Sequence, residues 1–178
     1  MRDFRHEEFE ILWRIDQQCF APGISYSRLE LATYLQRPGA FALVADRSEV
    51  SQTSTLGRTV KQGQPATMTV GFIVAETGSR GTGHIITIDV LPGARGEGVG
   101  SRLLRAAEER LRVLFCQSVI LETAVDNKSA LAFYKRHDYT LIKTLPRYYS
   151  DGVDAFVLKK DLLSPPGPAK LPQSQPSQ

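Results

Sequence analysis

Cysteine, histidine, net charge and long apolar runs are all scarce in this chain. Two cysteines, Cys19 and Cys116, lie far apart among 178 residues, so they make no disulfide framework and read as buried free thiols. Three histidines, His6, His84 and His137, share no metal-ligand spacing with one another or with a cysteine, so no metal is expected. A formal charge of +3, scattered along the chain, gives no reason to expect a nucleic-acid partner. No apolar run reaches membrane-spanning length, and Met1 to Glu8 lack the apolar centre of a signal peptide. Neither membrane binding nor export is therefore expected, and a cytoplasmic location is.

What is present suits one folded domain of ordinary composition, 42% hydrophobic and 23% charged. From Ser164 the chain turns to proline, serine and glutamine, with Pro165, Pro166, Pro168, Pro172 and Pro176 among its last residues. Such a segment buries too little apolar surface to fold, so the expectation is a domain over 1–163 and a disordered tail over 164–178. There is no internal repeat.

Hydrophobic periodicity sets out the elements. Phe4, Phe9, Ile11, Leu12, Ile15 and Cys19 mark a first helix over residues 4–19, and Phe20-Ala21-Pro22-Gly23 breaks it. Ser25 or Ser27 can cap a second helix to about Leu35. Strands are expected over 40–45 and 68–75, separated by a long polar loop over 46–66, with a hairpin connection over 77–83 leading into a third strand. A long helix then turns Leu103, Leu104, Ala107, Leu111 and Leu114 inward, with Arg105–Glu109 and Glu108–Arg112 pairs on its wet side. A strand over 118–125, a helix over 128–137 and strands over 139–144 and 153–158 complete an α/β (α+β) domain. Its central sheet is mixed, mostly antiparallel and flanked by helices.

The most informative stretch is Ile85 to Ser101, a strand, a glycine-rich loop and a helix start. A helix start offers N–H groups without intrahelical partners and the positive end of the helix dipole, and glycines let an anion approach them. Gly93 and Gly98 have the spacing of a nucleotide-hydrolysing phosphate loop, but Val99 stands where its lysine belongs. A dinucleotide fingerprint would need glycine where Ser101 stands. The remaining pattern, Arg95-x-x-Gly98-x-Gly100, resembles the acyl-CoA pyrophosphate loop of the GNAT superfamily of N-acetyltransferases.

A second constellation runs from Leu121 to Tyr139, with Glu122, Asn127, Ala130, Phe133 and Tyr134 at intervals similar to that superfamily's C-terminal motif. With Tyr148-Tyr149 before Asp151-Gly152-Val153-Asp154-Ala155, the chain resembles the ribosomal-protein alanine N-acetyltransferases and the catalytic subunits of protein N-terminal acetyltransferases. The likeness spans roughly residues 6 to 162. One departure is Asp138-Tyr139 where glycine and phenylalanine are usual, and a left-handed cap is expected at Asp138.

The resemblance implies an acetyl-CoA-dependent N-acetyltransferase. Transfer to an amine needs a base, and Glu122, in an otherwise apolar strand, is the candidate; the alternative is a carboxylate that faces solvent or pairs with an arginine. Tyr134, twelve positions later, is the candidate acid for the leaving thiolate, the alternative being a tyrosine packed in the core beside Phe133. By the same likeness Ile88, Asp89 and Val90 act through their backbone, with an N–H near Val90 facing the acetyl oxygen. Arg95, Gly96, Glu97, Gly98, Val99, Gly100 and Ser101 line the pyrophosphate, and Asn127 contacts the CoA arm. The acceptor is expected between Phe20, Pro22 and Tyr26 on one side and Tyr148 and Tyr149 on the other. A protein or peptide N-terminus is the first reading; a small amine, or a non-catalytic acyl-CoA-binding module, is the alternative. A monomer or weak homodimer is expected.

Overall fold

A computed structural model describes residues 1–20, 24–48 and 67–163. Pro22, the polar loop beyond Ser48 and the 164–178 tail lie outside the described residues. The elements are β1 (Arg2–Asp3), α1 (Phe9–Cys19), α2 (Arg28–Leu35), β2 (Ala40–Ser48), β3 (Thr67–Thr77), β4 (Thr82–Val90), α3 (Val99–Val113), β5 (Ser118–Ala124), α4 (Lys128–Arg136), β6 (Thr140–Leu145) and β7 (Ala155–Asp161). They form one sheet in the order β1-β2-β3-β4-β5-β7-β6, in which β4 and β5 run parallel and the other described neighbours antiparallel. This is the mixed, mostly antiparallel sheet that the family resemblance implies.

Both faces of the sheet are covered, which is why β3 reads as a continuous apolar run. Its Ile73 and Ala75 pack with Leu103, Leu104, Ala107 and Leu111 of α3 and with Val119 and Leu121 of β5. Its Phe72 and Val74 face the other way, toward Leu12 and Ile15 of α1 and Leu31 of α2. Among the described residues no helix is long and apolar enough to cross a membrane.

Several boundaries differ from the sequence expectation for identifiable reasons. The first helix starts at Phe9, not Phe4, because Arg2 and Asp3 pair with Val44 and Leu43 at the sheet edge and the Phe4 N–H donates to Ala42 O at 3.0 Å. Arg2 is tied there by Glu8 and Asp46, each at 2.6 Å. Ser27, not Ser25, caps α2: its hydroxyl accepts from the Glu30 N–H while the Glu30 carboxylate accepts from the Ser27 N–H. Glu108 is not on the wet side of α3. It is buried against β7, where it accepts from Lys160 at 2.7 Å and from the Tyr139 hydroxyl at 3.1 Å, while Arg112 pairs with Glu109. Leu114, expected inward, lies past the last turn and is exposed. Asp138 does take the left-handed conformation, with φ 65°.

The feature that positions the site is in β4. Val74 pairs with Thr87 but Ala75 pairs with Ile85, which makes Ile86 an extra residue, a bulge. Ile85, Ile88 and Val90 pack toward α3, whereas Ile86 packs toward α1 and α2. The β4–β5 ladder stops at the same place: Thr82, Gly83 and His84 pair with Ser118, Val119 and Ile120, and the facing edges beyond, Ile85–Val90 and Leu121–Ala124, have no ladder partners. Gly71 secures the far end of this strand, because a Cβ there would sit 2.6 Å from the Asp89 carbonyl oxygen. Gly71→Ala is expected to cost about 1–3 kcal/mol by forcing backbone apart, read as a lower urea midpoint. An unchanged midpoint would show that β3 and β4 separate freely at this point.

Candidate active site

The gap between β4 and β5 opens at one end onto the start of α3. A 3-10 turn at Pro92–Ala94 spends the Arg95 N–H on Pro92 O, and the first helical bond runs from Arg102 N–H to Gly98 O at 3.0 Å. The N–H groups of Val99, Gly100 and Ser101 therefore have no intrahelical acceptor. Gly96 and Gly98 have φ of 80° and 74°, a conformation in which glycine is unstrained, and a Cβ on Gly96 would meet open space. These N–H groups and the two glycines are the part of the chain in which the sequence expects a phosphate to be held. Within it Val99 turns its side chain into the core, so its contribution is the backbone alone. Glu97 pairs with Arg47 of β2, and its carbonyl accepts from Arg102 Nη1 at 3.1 Å. Arg95 folds back, Nε donating to Val90 O at 2.9 Å. Ser101 Oγ lies 2.9 Å from His137 Nε2 at the end of α4, a partner that no sequence motif signalled.

At the gap itself, Leu91 N–H is spent on Val70 O at 2.9 Å. Alternate residues of a strand point their N–H groups to opposite edges, so Val90 N–H is turned toward the gap. Ile88 and Val90 pack their side chains against the α3 core, and the side chain of Asp89 is buried on the opposite face. Asn127 caps α4, its Oδ1 accepting from Ala130 N–H at 3.1 Å and Ser129 Oγ at 3.0 Å.

Glu122 and Tyr134 approach the gap from different elements. Glu122 lies on the face of β5 opposite the α3 core, and its Oε2 is 2.6 Å from Nε2 of His84 in β4. His84 was missed in the sequence because nothing there reveals which strands are neighbours. Burial opposes charge on His84, but hydrogen bonding and attraction from Glu122 and then Glu76 override it, so its pKa stands above the ordinary value. Tyr134 is buried in the core beside Phe133 and Tyr139. Burial first, then Asp89 and Tyr149, hold its phenol protonated well beyond its ordinary range.

The side on which the sequence expects the acceptor is lined with tyrosine. Tyr26 donates from its hydroxyl to Ile86 O at 3.3 Å and meets Tyr34 edge-on at 5.2 Å. Tyr148 meets Tyr149 edge-on at 5.2 Å, and the Tyr148 phenol is raised by burial and by the charge of Glu122 and the nearby Tyr34. Tyr34 therefore joins the expected set, while Phe20 ends α1 with its N–H on Asp16 O at 3.1 Å. Among the described residues no group of three or more His, Cys, Asp or Glu side chains is placed to hold a metal ion.

Behind this wall, Asp16 of α1 and Asp89 of β4 are buried, each with its Oδ1 unpartnered. Asp16 Oδ2 accepts from Tyr26 N–H at 2.8 Å and Gln17 Nε2 at 3.0 Å, and Asp89 Oδ2 accepts from Thr87 Oγ1 at 3.0 Å. Burial raises Asp16 from 3.8 to about 6, and burial together with the Asp16 charge raises Asp89 well above 3.8. Cys19, expected buried, is half-buried here; burial and the Asp89 charge push its thiol up to about 11, so it stays protonated at neutral pH. Both carboxyls hold protons more tightly folded than unfolded. Their stabilisation is complete below about pH 4 and is lost as pH rises through about 6 and beyond, at about 1.4 kcal/mol per pH unit for each proton retained. Asp89→Asn should therefore gain Tm relative to the parent chain as pH rises from 5 to 8. A difference in Tm that is constant over that range would contradict this.

Comparison with known proteins places the geometry. The model of the acetyltransferase (GNAT) family matches residues 46–139, which include the loop, Glu122, Asn127 and Tyr134. An uncharacterized N-acetyltransferase of Methanocaldococcus jannaschii is 38% identical over 100 residues, 56% of this chain and 64% of that protein. The N-alpha-acetyltransferase MAK3 of Arabidopsis thaliana is 41% identical over 93 residues, 51% of this chain and 49% of the relative. These matches thus span from about half to just under two thirds of the relatives' length. Ard1 from Thermoplasma volcanium superposes with a TM-score of 0.71 at 25% identity, over 92% of this chain and 97% of that one. The strand, loop and helix that open the gap lie within the matched segment, and the chain belongs to the acetyltransferase (GNAT) family.

Proposed function

We propose that the protein moves an acetyl group from acetyl-CoA to the α-amino group of a protein or peptide N-terminus. The observation that carries this reading is the gap between β4 and β5, with the free N–H groups of α3 at its mouth, Glu122–His84 on one face and Tyr134 on the other. Acetyl-CoA supplies the acetyl group as a thioester. The start of α3 favours its pyrophosphate through backbone N–H groups and the helix dipole. Unpaired strand edges suit its amide-bearing arm, since they hold hydrogen-bonding groups that β4 and β5 leave unused between themselves. Asn127 Nδ2 faces the same arm in this reading, its Oδ1 being committed to the α4 cap.

Val90 N–H is placed to donate to the acetyl oxygen as charge gathers there. Glu122, with His84 at 2.6 Å, takes the proton of the attacking amine. Tyr134, kept protonated by burial, delivers a proton to the departing thiolate. The acceptor is read as an α-amine because its pKa of about 7.7–8.0 lies far below the roughly 10.4 of lysine, so a carboxylate–imidazole pair meets a usable fraction of free base. Tyr26, Tyr34, Tyr148 and Tyr149 offer rings to a first side chain and hydroxyls to a peptide backbone. The relatives named N-alpha-acetyltransferase support the same class.

The test is thiol release from acetyl-CoA with short peptides bearing free α-amines. Glu122→Gln is expected to lose about 100-fold or more in kcat/KM, and Tyr134→Phe about 10–100-fold, with CoA affinity within about 2-fold of the parent. Parent-like rates in both variants would contradict the assigned roles.

A further inference from the structure

Glu76 and Arg37 lie behind the base, on residues that no motif includes. Glu76 in β3 is the cross-strand partner of His84. His84 is in turn the ladder partner of Ile120, two residues before Glu122. A two-residue step returns side chains to the same face, so the pairing sets Glu76, His84 and Glu122 in one row across three strands. Oε1 of Glu76 is shared: it lies 3.6 Å from His84 Nδ1 and 3.3 Å from Arg37 Nη1. The other ring nitrogen of His84, Nε2, is the one at 2.6 Å from Glu122. Glu76 and Glu122 are each 17% exposed, His84 between them is 26% exposed and Arg37 is 42% exposed, so Arg37 is the most solvent-exposed member of the row. Arg37 stands just beyond α2, its guanidinium 4.1 Å from the centre of the Tyr34 ring.

We propose that Glu76 is a positioning residue, which holds the Nδ1 side of His84 so that Nε2 is free to share the proton that Glu122 removes from the amine. This rests on the reading of Glu122 as the base. As the amine nitrogen bonds to the acetyl carbon and the carbon–sulfur bond breaks, the nitrogen's proton passes to Glu122 and is shared with His84 Nε2, while the Nδ1 proton stays on the ring facing Glu76. Tyr134 protonates the thiolate, and once the products leave, Glu122 returns the shared proton to water and Tyr134 is reprotonated. The imidazole thus ends each turnover with the charge and the tautomer it began with. Arg37 acts in the opposite sense, because it draws on the oxygen that Glu76 offers to His84. The groups that face His84 are Glu76 from β3 and Glu122 from β5, with Arg37 behind Glu76 and Tyr148 beyond Glu122.

The experiment combines an NMR titration of His84 with the pH profile of kcat/KM for the parent, Glu76→Gln and Arg37→Gln. Glu76→Gln is expected to lower both the His84 midpoint and the acid limb of the profile by roughly 0.5–1 pH unit, and to lower kcat about 10-fold, with KM for acetyl-CoA within about 2-fold. Arg37→Gln is expected to move both upward, and it carries the test alone if Glu76→Gln does not fold. A Glu76→Gln or Arg37→Gln chain whose His84 midpoint and acid limb coincide with the parent's overturns the proposal, while loss of activity in Glu122→Gln and His84→Gln would leave the base itself standing. Parent-like rates in Glu122→Gln and His84→Gln would remove the base and, with it, the role of Glu76.

Discussion

Parallel pairing of β4 and β5 holds for Thr82–His84 against Ser118–Ile120 and ends where Ile86 bulges out of register with β3. That short ladder does two things at once. It fixes His84 beside Glu122, and it leaves the facing strand edges beyond without ladder partners in the middle of the sheet. Without the bulge at Ile86, strict alternation from Ile85 onward would turn each later side chain of β4 to the other face, since strand side chains alternate with a period of two. Ile88 and Val90 would then leave the α3 core, and Asp89 would enter it.

The two faces of the sheet share the remaining tasks. On the α3 face, Leu103, Leu104, Ala107 and Leu111 hold the helix whose start forms the anion cradle, so the same element anchors the core and offers the N–H groups. Glu108 joins that helix to β7 through Lys160 and to Tyr139 through its hydroxyl, which ties the end of α4 to the same core. On the opposite face, α1 and α2 flank Tyr26 and α2 carries Tyr34, both of the proposed acceptor wall. Asp16 holds the Tyr26 N–H from within α1, and the Tyr26 hydroxyl reaches Ile86 O at the bulge. The buried carboxyls of Asp16 and Asp89 are thus part of the joint between the acceptor wall and the strand that bears Val90, at a cost in stability when they ionise.

Local features were readable from the sequence. The α2 cap is written in Ser27 and Glu30, the inward stripe of α3 in its leucines, and the left-handed turn at Asp138 in the departure from glycine. The order Glu122, Asn127, Tyr134 marked the candidate base, the CoA contact and the candidate acid through the family resemblance, which can be matched because all three sit on one strand–turn–helix unit. What could not be read depends on register between distant segments. His84, Glu76 and Arg37 meet Glu122 only through the pairing of three strands and the exit of α2, and His137 meets Ser101 only through the packing of α4 on α3. Glu108 was misread for the same reason: its partner, Lys160, comes from the last strand. The two-residue β1 is too short to carry any periodicity.

The central claim is that the β4–β5 gap brings an N-terminal amine to the thioester. Its most direct test is mass-spectrometric mapping of acetyl groups after the protein meets acetyl-CoA and a mixed pool of peptides with free α-amines, α-blocked lysine peptides and polyamines. The account predicts acetyl groups on free α-amines, in step with the CoA released and absent in Glu122→Gln. Acetylation confined to lysine side chains or polyamines, or CoA binding without transfer to any amine, would contradict it.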